Sequence, residues 1–253
     1  MRTTIDLNAD LGEEPEESAR DMALMRHVSS CNIACSGHAG DDGSMRQMLL
    51  AARDAGIAAG AHPSYPDRAN FGRKSMDIGT ERLVENLVEQ VSRLKRIADA
   101  VGVRIGHIKP HGALYNDLAD NGELAEKVAG AFVEFFPEMA LVGLAGGAME
   151  AAAKRLGHEW IAEAFIDRAY QANGRLVPRS QPGAVLCNDQ ARIAQALAIA
   201  QHGRLMTAHR DEIMIAADSL CIHSDSPGAL QTARNIRTAL DEAGISVAAP
   251  RLA

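Results

Sequence analysis

Along the chain, short and nearly continuous apolar runs alternate with longer segments whose apolar residues recur at three- and four-residue spacing. The runs read as strands buried on both faces, and the spaced segments as amphipathic helices. Strands are predicted over Thr3–Leu7, at the start of the Cys31–Asp42 segment, over Ile57–Ala61, Val103–Ile108, Ala140–Leu144 and His158–Phe165, and within Glu212–Ile222. Helices are predicted over Asp21–His27, Ser44–Ala55, from a Thr80 cap to about Val101, over Glu123–Phe135, up to Leu156, over Asp189–Gln201, and from a Ser226 cap with Pro227 in the first turn. Leu83, Leu87, Val91, Leu94 and Ile97 mark one helix's buried face, and Leu230, Ile236 and Leu240 another's. Four helices hand over to the next segment through a glycine (Gly56, Gly102, Gly157, Gly244), which suits a left-handed cap.

This is a loose βα repeat without a low-complexity linker. It predicts one α/β domain over residues 1–253, a distorted (β/α) barrel with about seven parallel strands, with a doubly wound sheet as the alternative. Composition sharpens the picture. Apolar residues are 47% of the chain but aromatics only 4%, so the core is built from Ala, Val, Ile, Leu and Met. A net charge of -7 without a basic stripe argues against a nucleic-acid partner. Cys31 and Cys35 are too far apart for a C-x-x-C motif, so all four cysteines read as small core residues. The first ten residues hold no apolar run for a signal peptide, and no run of about eighteen apolar residues offers a membrane span. A cytoplasmic protein is expected.

The polar residues gather where strands are predicted to end. Asp6, Asn8 and Asp10 alternate, which places all three on one face of a strand. Ser36, His38 and Asp41 follow the second strand, His62 the third, Lys109 and His111 the fourth, Glu163, Asp167 and Arg168 the sixth, and His223 and Asp225 the last. Taken singly, each has an ordinary structural reading. Together they predict a polar active site at the C-terminal mouth of a barrel. The acidic run Glu13, Glu14, Glu16 and Glu17 reads as a solvated loop, and the long segment Ser64–Gly79 as a lid or binding loop.

Long stretches of the chain resemble the LamB/YcsF family, the A-subunits of 5-oxoprolinase. They are DLNADLGE (6–13), NIACSGHAGD (32–41), GAHPSYPD (60–67) with FGR (71–73), IKPHGALYN (108–116), EAFIDRAY (163–170), LVPRSQPGA (176–184) and DSLCIHSDSPGA (218–229). The resemblance covers nearly the whole chain in order. It implies a glycoside hydrolase/deacetylase-like barrel, and ATP-dependent opening of 5-oxo-L-proline to L-glutamate together with the B and C subunits. Two departures stand out. The family usually has Gly-Phe before the histidine where this chain has Ser36-Gly37, so the resemblance implies a lost aromatic and an altered substrate fit. Lys74 stands where many relatives have Arg.

On this reading Asp10, His62, Lys109 and His111 are the catalytic candidates. One of Asp10, His62 and His111 is the general base, and Lys109 holds an oxyanion or phosphate. Asp6, Asn8, His38, Asp41, Glu163, Asp167 and Arg168 contact or orient substrate, with Arg168 suited to a carboxylate. ATP, with Mg as its counter-ion, is the expected cofactor, yet no G-x-x-x-x-G-K-[ST] motif is present. The turn Gly143–Gly147 before a helix is a weak phosphate candidate. No firmly bound metal is expected. Two alternatives remain: a metal-dependent deacetylase or amidohydrolase using Asp10, His38 and His62, and a non-catalytic component that binds substrate.

Overall fold

Seven parallel strands close on themselves around a polar interior. In this computed structural model, which describes residues 3–224 and 228–250, the strands are β1 (Thr4–Leu11), β2 (Ser30–Ala34), β3 (Ala58–His62), β4 (Ile105–Ile108), β5 (Ala140–Leu144), β6 (Trp160–Phe165) and β9 (Ser219–His223). Between the last two, β7 (Arg204–Met206) and β8 (Glu212–Met214) form a separate antiparallel pair. β9 pairs with both β6 and β1, which closes the ring and decides for a barrel over an open doubly wound sheet. A two-residue β10 (Ser246–Val247) pairs with the start of β1.

Among the described residues, eight α-helices surround the ring: α1 (Ser18–Leu24), α2 (Asp42–Ala55), α3 (Thr80–Val101), α4 (Gly112–Asp120), α5 (Gly122–Phe135), α6 (Ala148–Arg155), α7 (Asp189–His202) and α8 (Ala229–Glu242). Among the described residues, none is long and apolar enough to cross a membrane. The two-faced character of β1 shows why the barrel forms. Ile5, Leu7, Ala9 and Leu11 are buried in the hydrophobic core, while Asp6, Asn8 and Asp10 point inward and bond to groups on β2, β6 and β9 and to Lys109 just past β4. On α3, Leu83, Leu87, Val91 and Leu94 are buried in the core; burying each contributes roughly 1.5–3 kcal/mol before entropy.

The structure corrects several local expectations. β1 runs on to Leu11, four residues past the predicted end, because Asn8 and Asp10 are ladder partners of Ser30 and Asn32 on one side and of Cys221 and His223 on the other. The Glu212–Ile222 run splits into β8 and β9. α4 is an addition to the predicted helices; it starts directly behind Pro110 and His111 at Gly112, whose φ of +62° breaks the pattern. Gly79, not Thr80, is the cap residue of α3. Leu230 is 37% exposed and does not belong to the buried face of α8. Cys187 is exposed, whereas Cys31, Cys35 and Cys221 are buried as expected. Asp225, Ser226 and Pro227 lie outside the described residues.

Candidate active site

The barrel interior is stacked in polar layers. At the bottom, Asp6 accepts hydrogen bonds from the hydroxyls of Ser29, Ser30 and Ser219. Burial pushes its carboxyl up from the ordinary range despite those donors.

In the next layer, the Asn8 amide donates to Glu163 Oε1 (2.8 Å) and to Ser219 Oγ (2.7 Å). Asn32 donates to Asn8 Oδ1 (2.8 Å) and Asp10 Oδ1 (2.9 Å), and its own oxygen lies 2.8 Å from His107 Nε2. Burial holds His107 down to about 4, so it is neutral and donates that bond. Its ring lies directly against Gly60 of β3, where a Cβ would overlap it. Lys109 reaches inward from the end of β4. Its ammonium contacts Asp10 Oδ1 and Glu163 Oε1, each at 2.9 Å, and Cys221 Sγ at 3.1 Å. Burial works against this charge, but Asp10, with Cys221 and Glu163 beside it, holds the ammonium well above the usual lysine range. Asp10 answers in kind: burial opposes ionisation, and His62 and Lys109 together keep its carboxyl well below the usual value.

The mouth carries a histidine cluster. His62 Nδ1 lies 2.7 Å from the Lys109 carbonyl, and His111 Nε2 lies 3.0 Å from the Phe71 carbonyl. A carbonyl only accepts, so each ring carries a proton on the nitrogen facing it. The other two nitrogens, His62 Nε2 and His111 Nδ1, face each other at 3.0 Å. His38 stacks flat on His111 with ring centroids 3.6 Å apart, and its Nε2 lies 3.0 Å from Glu13 Oε1. Burial, followed by the neighbouring histidines, holds His38 and His111 well below the ordinary imidazole range. Two non-glycine residues with left-handed backbone flank the cluster, Ser36 (φ +71°) and Phe71 (φ +55°). Arg68 donates to the Ser36 and Gly40 carbonyls and holds that turn. Opposite, Asp167 accepts from His223 Nδ1 at 2.9 Å; burial raises its carboxyl, but His223 outweighs this and keeps it ionised.

These groups floor a cleft of about 850 Å³. Asp10, His62, Lys109 and His111 all line it, with Glu13 and His223, under a rim that includes Arg73, Arg175 and Arg179. Arg168 also lines the cleft, but two of its nitrogens donate to the Ala184 and Val177 carbonyls, and burial with Arg179 nearby lowers its pKa to about 10. Asp6, Asn8 and Glu163 lie beneath the floor, and His38 and Asp167 behind its walls; they order the lining residues rather than meet solvent. Asp41 stands apart. It is exposed and caps α2 in a reciprocal pair with Ser44, which holds its carboxyl below the ordinary range. The glycine turn 143–147 offers less than expected, because the Gly146 N–H already donates to the Glu150 carboxylate.

Glu13 is the main correction: its side chain is only 7% exposed and sits among three histidines, not in a solvated loop. Asn32 and His107 also escape a reading of the sequence. Each is a polar residue inside an apolar strand, and His107 lies two positions before Lys109, hence on the same face.

The model of the LamB/YcsF family matches residues 5–252. The chain belongs to the LamB/YcsF family. A 5-oxoprolinase A-subunit from Bordetella pertussis is 43% identical over 251 residues, spanning 98% of this chain and 100% of the relative. One from Brevibacillus brevis is 41% identical over 248 residues, spanning 97% and 98%. The crystal structure of a lactam utilization protein from Thermus thermophilus superposes with a TM-score of 0.90 at 36% identity, covering 98% of this chain and 100% of that one.

In this member of the LamB/YcsF family, the Ser36-Gly37 departure faces away from the cleft. A Cβ at Gly37 would collide with the Gln90 amide and the Ser64 hydroxyl. Gln90 instead bridges to the Ser64 backbone on both sides, and Arg93 of the same helix donates to Ser36 Oγ.

Proposed function

We propose that this chain opens the lactam ring of 5-oxo-L-proline to give L-glutamate, driven by ATP and acting with the B and C subunits of a 5-oxoprolinase in the cytoplasm. The observation that carries the reading is the buried Asp10–Lys109 pair at the floor of the cleft, in a chain 41–43% identical to proteins of that name.

A lactam resists water because its carbonyl is resonance-stabilised and its nitrogen leaves poorly. Transfer of the ATP γ-phosphoryl to the lactam oxygen, releasing ADP, makes the ring carbon electrophilic. Water then adds to that carbon and the C–N bond breaks, with nitrogen taking a proton. A second water hydrolyses the acyl phosphate to glutamate and phosphate.

Asp10 suits the role of base in the first addition. Its Oδ1 is fixed by Lys109 and Asn32, and its Oδ2 faces the mouth beside His62 at 3.3 Å. A carboxylate held ionised is a weak base, and an electrophile already activated by phosphorylation needs no stronger one. Lys109 lies where it stabilises charge developing on oxygen. The arginine rim suits the substrate carboxylate and the phosphates of Mg-bound ATP.

The test is glutamate release from 5-oxoproline and ATP, with and without the B and C subunits. The complex containing Asp10→Asn is expected to assemble and to lose turnover by at least about a hundredfold. Near-normal turnover in that variant overturns the reading and leaves a substrate-binding role.

A further inference from the structure

At the mouth of the barrel, the rings of His38, His62 and His111 gather around the Glu13 carboxylate. The Lys109 and Phe71 carbonyls place a proton on the outer nitrogen of His62 and of His111, and the two inner nitrogens, which carry lone pairs when the rings are neutral, face each other across 3.0 Å. Glu13 Oε1 lies 3.3 Å from His111 Nδ1, and Asp10 Oδ2 lies 3.3 Å from His62 Nε2. With neutral rings, His62 Nε2, His111 Nδ1 and Glu13 Oε1 bring three acceptors together, an arrangement that a cation among them stabilises. The nearby ammonium of Lys109 does not fill that role, since it is directed at Asp10 Oδ1, Glu163 and Cys221.

We infer that Glu13, His38, His62 and His111 form a binding site for one divalent cation of the zinc class. One donor atom from each of these four side chains lies within 4.8 Å of the other three. The neighbouring separations are 3.0 Å (His62 to His111), 3.0 Å (His38 to Glu13), 3.3 Å (His111 to Glu13) and 4.0 Å (His62 to Glu13). A tetrahedral ion with bonds of about 2.0–2.1 Å sets its ligand atoms roughly 3.3–3.4 Å apart, so Glu13, His62 and His111 reach it with small adjustments, and His38, now stacked parallel on His111, joins them when its ring tilts out of the stack. Imidazoles with one carboxylate match zinc and its transition-metal neighbours rather than the all-oxygen shells of calcium or magnesium.

The outer contacts point the same way. Histidines that bind metal donate their remaining N–H to a carbonyl or carboxylate, and both His62 and His111 do so here. Glu13, His62 and His111 face the cleft, so an ion they hold is placed to polarise a bound carbonyl or a water there. Asp10 is left outside the ligand set as a proton acceptor. A second group of potential ligands, Asp10, Cys221 and His223, is a poor competitor, because the Lys109 ammonium already contacts two of its three members. The inference goes beyond the ring-opening reading and stands independently of it, since bound metal is measured without substrate.

The experiment uses the full chain, stripped with chelator, dialysed and loaded with Zn²⁺ or Co²⁺. Elemental analysis is expected to find about one ion per chain, and Co²⁺ to give the intense visible bands of a four-coordinate site. His62→Gln and His111→Gln, which keep side-chain volume, should each weaken binding by at least about tenfold, whereas His209→Ala on the surface should not. Circular dichroism checks that the variants fold; if one does not, the comparison rests on Glu13→Gln. Binding well below one ion per chain, or equal binding in the double His62/His111 variant, overturns the proposal. So does an NMR finding that a shared proton, unaffected by Zn²⁺, bridges His62 and His111.

Discussion

Lys109 Nζ lies 2.9 Å from Asp10 Oδ1, and both side chains are nearly inaccessible to solvent. Such a pair is worth little against an apolar substitute, yet removing one partner leaves the other charge buried and uncompensated. Lys109→Met should therefore destabilise the protein by about 3–5 kcal/mol, because Asp10 and Glu163 both lose their counter-ion. Lys109→Met combined with Asp10→Asn should recover part of that loss. Urea denaturation of the two single variants and the double gives the coupling, and simple additivity would contradict this account.

The same pair sets a pH window. Asp10 has a depressed folded-state pKa, so its contribution is present above the unfolded aspartate value and is lost as pH falls through the folded one. Lys109 has a raised folded-state pKa, so its contribution is present below the unfolded lysine value and is lost as pH rises through the folded one. The pair's own contribution to the melting temperature is expected to be flat between the two unfolded values and to fall at both extremes, so the double variant should fall less steeply at each end.

Asp21 predicts the opposite slope. Burial pushes its carboxyl up to about 6, although Gly12 N–H donates to it. Between the unfolded value near 4 and that raised value, the folded chain binds more protons than the unfolded one, so this group's contribution declines as pH rises. Asp21→Asn should raise the melting temperature relative to the parent at about pH 8 and leave it nearly unchanged at about pH 4, as read by differential scanning calorimetry.

Gly60→Ala tests the close approach of β3 to His107. The added methyl group lands in the imidazole, and overpacking of this kind costs about 1–3 kcal/mol. The ring must also shift away from Asn32, which positions Asp10. The variant should lose both stability, by chemical denaturation, and turnover in the assembled complex.

The barrel was legible because its helices carry a clear three- and four-residue apolar period and its strands are short apolar runs bounded by Gly and polar turns. The floor of the cleft was legible for a different reason: Lys109, His111 and His62 sit at strand ends, where the mouth of a barrel must be. Three features escaped the sequence. Glu13 sits in an acidic run whose composition suggests solvent, and only folding turns it inward toward the histidines. Asn32 and His107 lie inside strands, where a polar residue reads as noise until the opposite wall supplies its partner. Ser36-Gly37 suggested an altered pocket, but the side chain that meets Gly37 is Gln90, which lies far along the chain on α3.

The pairing of Thr4 with Ser246 brings the first and last strands together at the end of the barrel away from the cleft. A circular permutant in which a short flexible linker joins residue 250 to residue 3, and the chain is reopened at an exposed turn, should keep the same barrel. The same geometry leaves the mouth of the cleft clear of this pairing, so an affinity tag or a fusion partner attached beside it points away from whatever docks there.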